Sequence, residues 1–262
     1  MTWLTSLPAA VLAAGGLGFA LLVLIGARLA LRALIPTAER DTSTIAAPLM
    51  PALGAAFAIL IALSLASEAS FLASAQGIVS NEAADASRLA WAATSPGVSP
   101  APIQSALLGY LHATRAYEWH GNDASNGDDP ATVHALANLE RAVRAQAARP
   151  ALGTPTSTEL LASLDALTND RRARLAAASH QLPALYVVVL ALSGMALLVN
   201  ASALTLRSGL RPALLVGGLA VVIGLSLALL FALGTPWRGP ITVSGQPIDT
   251  VVRDLHAGYF HS

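Results

Sequence analysis

Long apolar segments alternate with more polar stretches along the chain, and this pattern predicts its architecture. The apolar segments cover residues 7–35, 48–69, 183–206 and 212–233. Each supplies the roughly 20 mostly apolar residues that a helix needs to cross a bilayer. The first segment is too long for the core of a secretory signal, and no basic residue precedes it. The pattern therefore predicts two membrane-spanning helices, a more polar region, two further spans and a short tail.

The polar region between the two pairs of spans is predicted to be helical. Apolar residues recur at spacings of three and four over 103–119, 131–148 and 158–180, which is the period of an α-helix. No proline interrupts residues 62–93, so we expect the second span to continue beyond the bilayer as one long helix. We expect the helix over 158–180 to return beside it and to run directly into the third span at Pro183.

These elements define an all-α, polytopic membrane protein with four transmembrane helices. Its helical extramembrane region is predicted to consist of extensions of the second and third spans plus two shorter helices. The predicted divisions are a first helix pair at 1–75, the extramembrane region at 76–182, a second pair at 183–235 and a tail at 236–262. In the tail, residues 241–244 predict a short extended segment. Trp237, next to Arg238, predicts an anchor at the membrane interface.

Composition supports a membrane location and argues against several functions. Only 11% of the 262 residues are charged, whereas a soluble domain has about 25%, and the mean hydropathy is +0.61. The 15 basic and 15 acidic residues balance, so no net charge attracts nucleic acid. The sequence has no cysteine and no recognisable catalytic, phosphate-binding or metal-binding motif. We therefore expect contact with the lipid bilayer, and no enzyme activity, cofactor or bound metal.

Small and short polar residues recur at spacings of three and four along the end of the second span and the helix that continues from it. These residues share one face of the predicted long helix and comprise Ser67, Ser70, Ser74, Gly77 and Asn81. Small residues let helices approach closely in a membrane, and close packing is the simpler interpretation. The functional hypothesis is that this face lines a water-filled path, with Glu68 at its edge. An acidic group at membrane depth marks a candidate functional site, although a residue near the end of a span can also reach the headgroups.

Charged residues on two predicted helices are expected to lie at similar heights if the helices are antiparallel neighbours. The residues concerned are Glu82, Asp85 and Arg88 on the long helix and Arg171 and Arg174 on the returning helix. The simpler interpretation is a structural ion-pair network that ties the two helices together. The alternative is a vestibule that attracts anions. Glu118 and Trp119 end the helix over 103–119, and we expect them to pack against the returning helix.

Four short motifs carry a resemblance when their order and spacing are taken together. The first is the Glu-Ala pair at Glu82 in "NEAADASRLA", and the second is Tyr110 followed by the Glu-Trp pair in "YEWHG". The third is "RRARL" followed by Leu-Pro before the third span, and the fourth is "PWRGPITVS", in which Trp237 takes the aromatic position. Together they resemble a family of bacterial membrane proteins described as bestrophin-like. One departure is that Gly234 and Thr235 stand where the family usually has an acidic residue.

The resemblance implies a function that composition and spacing do not reveal. The family name implies a likeness to bestrophins, which are pentameric anion channels whose second span lines the pore. We therefore hypothesise a homo-oligomeric, channel-like membrane protein that conducts small ions along its second transmembrane helix. The alternative is a non-transporting membrane scaffold or sensor whose helical extramembrane region binds a partner.

Two signals disagree about orientation in the membrane. The arginines of the two short loops predict, by the positive-inside rule, that the helical region lies outside the cytoplasm. The likeness to bestrophins places that region in the cytoplasm. We expect a multi-pass protein of the bacterial inner membrane whose helical region is cytoplasmic.

Overall fold

The protein was analysed as a computed structural model that describes residues 9–34, 43–119, 123–180, 182–206, 209–234, 236–237 and 240–260. Within these ranges every regular element is helical, and the predicted all-α polytopic fold is confirmed. The α-helices are α1 Ala9–Leu34, α2 Ser43–Ala92, α3 Pro100–Tyr117, α4 Pro130–Ala147, α5 Thr154–Ala178, α6 Ala184–Leu204, α7 Leu210–Leu233 and α8 Gln246–His256, with a 3₁₀ turn at Asp123–Ser125. Helices α1, α2, α6 and α7 are each long and apolar enough to cross a membrane.

The chain divides into two compact units. The first unit comprises 1–71, 181–235 and 239–241, and the second comprises 72–180, 236–238 and 242–262. Helix α2 belongs to both, because its 50 residues continue without a break past residues 73–81. A proline inside a helix removes a backbone donor, and the two prolines of α2, Pro48 and Pro51, both lie near its beginning. The rest of α2 contains no proline that would interrupt the helix.

The spans of the first unit pack through small residues. A Cβ atom on Gly224 of α7 would lie 2.7 Å from the carbonyl oxygen of Gly16 on α1, so the two backbones meet where neither residue has a side chain. Close approach of this kind is a common way for helices to associate in lipid. A polar contact adds to it, because the Nδ2 of Asn200 on α6 donates to the carbonyl oxygen of Ala46 on α2 at 2.9 Å.

The second unit has its own apolar core, to which five helices contribute. Each provides at least one fully buried apolar side chain, and examples in the order α2, α3, α4, α5 and α8 are Leu89, Leu107, Leu139, Leu160 and Ile248. The three/four spacing predicted the contributions of α3, α4 and α5. The core thus fixes which face of each helix points inward, and with it the position of the polar side chains described below.

The structure departs from the expected continuity between the returning helix and the third span. Helix α5 ends at Ala178, and α6 begins only at Ala184, with Pro183 as its N-cap. Pro183 lacks a backbone donor and disfavours a helical conformation at Leu182, so one continuous helix cannot pass through this point. Helix α5 also begins four residues earlier than the predicted residue 158, because Pro155 is tolerated in a first helical turn.

The tail contains a helix that the sequence pattern did not predict. Helix α8 follows residues 242–245, which form no strand. Instead, the side-chain amide of Gln76 pairs with the backbone of Ser244. The N–H of Ser244 donates to Oε1 of Gln76 at 2.8 Å, and Nε2 of Gln76 donates to the carbonyl oxygen of Ser244 at 3.2 Å. This pair attaches the segment before α8 to α2.

Candidate functional site

Four charged side chains from three parts of the sequence meet inside the second unit. They are Glu82 on α2, Glu118 immediately after α3, and Arg171 and Arg174 on α5, and all are buried. Burial of a charge is unfavourable unless it is paired and hydrogen-bonded. The structure thus brings together the acids of the long helix and of the Glu-Trp pair with two arginines of the returning helix. We call these four residues the buried network.

Arg174 is the centre of the buried network. Its Nε donates to Oε2 of Glu82 at 2.7 Å, and its Nη2 donates to Oε2 of Glu118 at 3.2 Å. Its Nη1 donates to the backbone carbonyl oxygen of Glu118 at 3.0 Å. The hydroxyl of Tyr110 donates to Oε1 of Glu82 at 2.8 Å. One guanidinium therefore joins α2, α3 and α5, which is the geometry that makes arginine suited to buried ion pairs.

Arg171 completes the charge balance. Its Nε donates to Oε2 of Glu118 at 3.1 Å, and its Nη2 contacts Oε1 of the same carboxylate. The same Nη2 also donates to the carbonyl oxygen of Gly127 at 3.0 Å, which holds the loop before α4. Two carboxylates and two guanidiniums leave the network with no net charge. This balance favours the structural interpretation over a vestibule that attracts anions.

Tyr110 and Arg174 both keep their protons around neutral pH. Burial raises the pKa of Tyr110 well above its usual value, and the nearby Glu82 carboxylate raises it further, so the hydroxyl remains a donor. Burial lowers the pKa of Arg174, but the charge of Glu82 and the contacts with Tyr110 and Glu118 outweigh it, so the pKa is raised overall. The guanidinium of Arg174 therefore stays charged.

Trp119 connects the buried network to the C-terminal helix. Its ring contacts two cations, with the Cζ of Arg115 at 4.5 Å and the Cζ of Arg174 at 5.6 Å from the ring centroid. Arg115 also binds Asp249 of α8 with two hydrogen bonds, of 2.7 and 3.0 Å. Gly245 leaves room for this guanidinium, because a Cβ there would overlap it. Sequence analysis missed Arg115, although it lies one helical turn before Trp119.

Asp85 and Arg88 lie outside the buried network. Arg88 instead forms an exposed, two-bond ion pair with Glu159 of α5, at 2.7 and 3.1 Å. Asp85 interacts with Asp170 of α5, an acidic residue that no sequence motif identifies. Burial raises the pKa of Asp170 to about 6, and the hydrogen bond and charge of Asp85 and the charge of Glu82 add to this shift. Asp170, which lies beside Asp85, therefore takes up a proton near pH 6.

The small residues that share one face of α2 are exposed on the surface of the protomer. They are Ser67, Ser70, Ser74, Gly77 and Asn81, and we call them the α2 face. Ser67 and Ser70, which lie in the first unit, are therefore not packed against α6 of that unit. Glu68, which we expected at the edge of the α2 face, is 4% exposed and buried in the first unit. Consecutive helical residues point about 100° apart, which turns Glu68 away from the exposed side of Ser67, and its role at the edge of a water-filled path stays a prediction.

Trp237 also departs from its predicted location. It is buried in the second unit, in a core that includes Val243, Ile248 and Phe260. The N–H of Val243 donates to the carbonyl oxygen of Pro236 at 2.8 Å, which closes the loop that carries the indole. Trp237 thus packs the tail instead of anchoring at the membrane interface. The neighbouring Arg238 and Thr235 lie outside the described residues.

Comparison with known proteins gives one match that covers most of the chain. A family model described as Bestrophin-like domain matches residues 17–248. The match includes the buried network, Trp119, Trp237 and the α2 face. No curated protein and no solved structure matches the chain.

Proposed function

The chain belongs to the bestrophin-like domain family, and we propose that it is an oligomeric, channel-like membrane protein whose α2 helices line a path for small ions. The proposal concerns a multi-pass protein with four candidate spans. Membership of the family supports the channel-like class. The observation that carries the choice of α2 is the exposed α2 face.

The surface of α2 changes character along its length. Near its first half it exposes large apolar residues such as Ile59 and Leu63, as expected of a helix surface in contact with lipid. Between Leu63 and Trp91 its exposed side chains are small or polar instead, apart from Arg88. An exposed face of serine, alanine, glycine and asparagine is unusual against lipid and suits either a partner helix or water.

A path between subunits is the arrangement that uses this face most fully. Four spans in one protomer provide little room for an aqueous pore, whereas a closed ring of identical subunits places the same helix around a central axis. Small side chains on α2 would leave width at that axis. Hydroxyl and amide groups would replace part of the hydration of an ion without placing a fixed charge in the path. This chemistry supports small ions as the conducted species.

The buried network has a positioning role in this proposal. Glu82 directly follows Asn81 of the α2 face and is held by Arg174 and Tyr110. These contacts fix the rotation of α2 about its own axis, so that Asn81 and Gly77 point away from the core. The ion-pair network therefore acts on conduction through the orientation of α2, and not by contact with the ion. The second unit, which contains the network, is proposed to lie in the cytoplasm of a bacterial cell, with the spans in the inner membrane.

The proposal is tested by reconstituting the purified chain in liposomes and measuring ion flux together with the mass of the assembly. We expect flux from the parent protein, and loss of most of it in Ser70→Leu and Ser74→Leu, because leucine narrows and dries the path. Ser226→Leu is the matched control, since that serine on α7 donates to its own helix at Val222. Flux that is unchanged in both α2 variants would refute the assignment. A stable oligomer that never conducts would favour the scaffold or sensor alternative.

A further inference from the structure

Three membrane-spanning helices enclose an apolar groove in the first unit. It lies between the beginnings of α1 and α6 and the end of α7, and its volume is about 450 Å³. Every lining residue is glycine, alanine, valine, leucine or phenylalanine, with Phe19 and Phe231 among the largest. Phe19 is 39% exposed, so the groove opens to the outside of the helices. Other exposed residues of these candidate spans, such as Leu22 and Leu185, are also apolar, as expected of helix surfaces in contact with hydrocarbon.

The groove follows from the way in which α1 and α7 pack. Gly16 and Gly224 let the two backbones meet, as described above, and this contact closes one side of the groove. The neighbouring positions carry little or no side chain, because Gly15, Ala191 and Ala228 also line it. A Cβ atom on Gly15 would have no other atom within 4 Å. The groove is therefore open at Gly15, the residue next to the contact between Gly16 and α7.

The chemistry of the lining selects the occupant. Water requires two to four polar partners, and an apolar cavity stays dry. The volume corresponds to about one turn of a helix roughly 10 Å across, so a second copy of the chain could insert a side chain but not a helix. A flexible hydrocarbon chain from the surrounding bilayer needs no polar partner and is thinner than a helix, so neither restriction applies to it. We propose that the groove binds one acyl chain of a bilayer phospholipid and retains that lipid on each protomer.

Two glycines of α1 provide a matched test. Gly15→Phe places a ring in the groove, whereas Gly26→Phe makes the same substitution on the same helix outside the lining. Neither glycine has another atom within 4 Å of its Cβ position, so a side chain can start at either position without a clash at Cβ. Ala191→Phe fills the groove from α6 and serves as a second filling variant if Gly15→Phe does not fold. Displacing two or three buried methylenes lowers affinity about tenfold or more.

The experiment measures lipid retention by native mass spectrometry. The full-length protein is purified in detergent, stripped of lipid and titrated with palmitoyl-oleoyl phosphatidylglycerol. We expect one retained lipid per protomer in the parent and in Gly26→Phe, and about tenfold weaker retention in Gly15→Phe or Ala191→Phe. Equal retention by filled and control variants would overturn the proposal, as would a parent that retains none. Binding of free palmitate but not of the phospholipid would show that the acyl chain comes from a free fatty acid, and would also overturn the proposal. A filled variant that loses subunits but keeps its lipid would assign the groove to a second copy.

Discussion

Replacing Arg174 by leucine removes the central cation of the buried network. Four donor contacts disappear: two to the Glu82 carboxylate at 2.7 and 3.4 Å, one to the Glu118 carboxylate at 3.2 Å and one to the Glu118 backbone at 3.0 Å. Glu118 keeps Arg171, but among the described residues Glu82 keeps only the hydroxyl of Tyr110. Leaving one partner of a buried ion pair uncompensated costs about 3–5 kcal/mol. That is a large part of a typical stability of about 5–15 kcal/mol.

Unfolding of the purified protein in detergent, followed by circular dichroism, measures this loss. For a chain of this size we expect the unfolding midpoint of Arg174→Leu to fall by roughly 10 °C. Arg88→Leu is the matched control, because Arg88 also makes two bonds to a glutamate but on the exposed surface. An exposed pair is screened by water, so the control should lose far less stability.

A second substitution separates lost charge balance from lost packing. Adding Glu82→Gln to Arg174→Leu removes the uncompensated carboxylate and should recover about 1–2 kcal/mol. The reasoning fails if Arg174→Leu unfolds at the same temperature as Arg88→Leu. It also fails if the added Glu82→Gln destabilises the protein further, because the stranded charge would then not be the cause.

Two further predictions follow from other contacts. Gly224→Ala should lower stability by about 1–3 kcal/mol, because the new Cβ would lie 2.7 Å from the Gly16 carbonyl oxygen, whereas Gly217→Ala, which meets no atom within 4 Å, should have little effect in the same unfolding assay. The pKa of Asp170 is raised from 3.8 to about 6 beside Asp85, so its contribution to stability is complete below about pH 4 and is lost as pH rises through about 6. Asp170→Asn should flatten that part of the pH dependence of unfolding, and a parent-like pH profile would contradict the assignment.

Sequence predicted the elements better than it predicted their partners. The continuity of α2 followed from the absence of proline over 62–93, and helix periodicity identified α3 and α4. The register between α2 and α5 depends on how their cores interlock, so spacing alone could not show that Arg88 meets Glu159 while Arg174 meets Glu82. Helix α8 was missed although its apolar residues follow the three/four spacing of a helix, because the pattern extends over only 11 residues, Gln246–His256.

The central claim is that the α2 face lines the ion path, and thiol modification during flux tests it most directly. The chain has no cysteine, so Ser74→Cys carries a single reactive group at an exposed position of α2. A charged thiol reagent added to liposomes that contain Ser74→Cys should reduce flux, and it should not affect the parent protein or Ser226→Cys on α7. If mass spectrometry shows that the Ser74→Cys thiol is fully modified while flux is unchanged, α2 does not line the path.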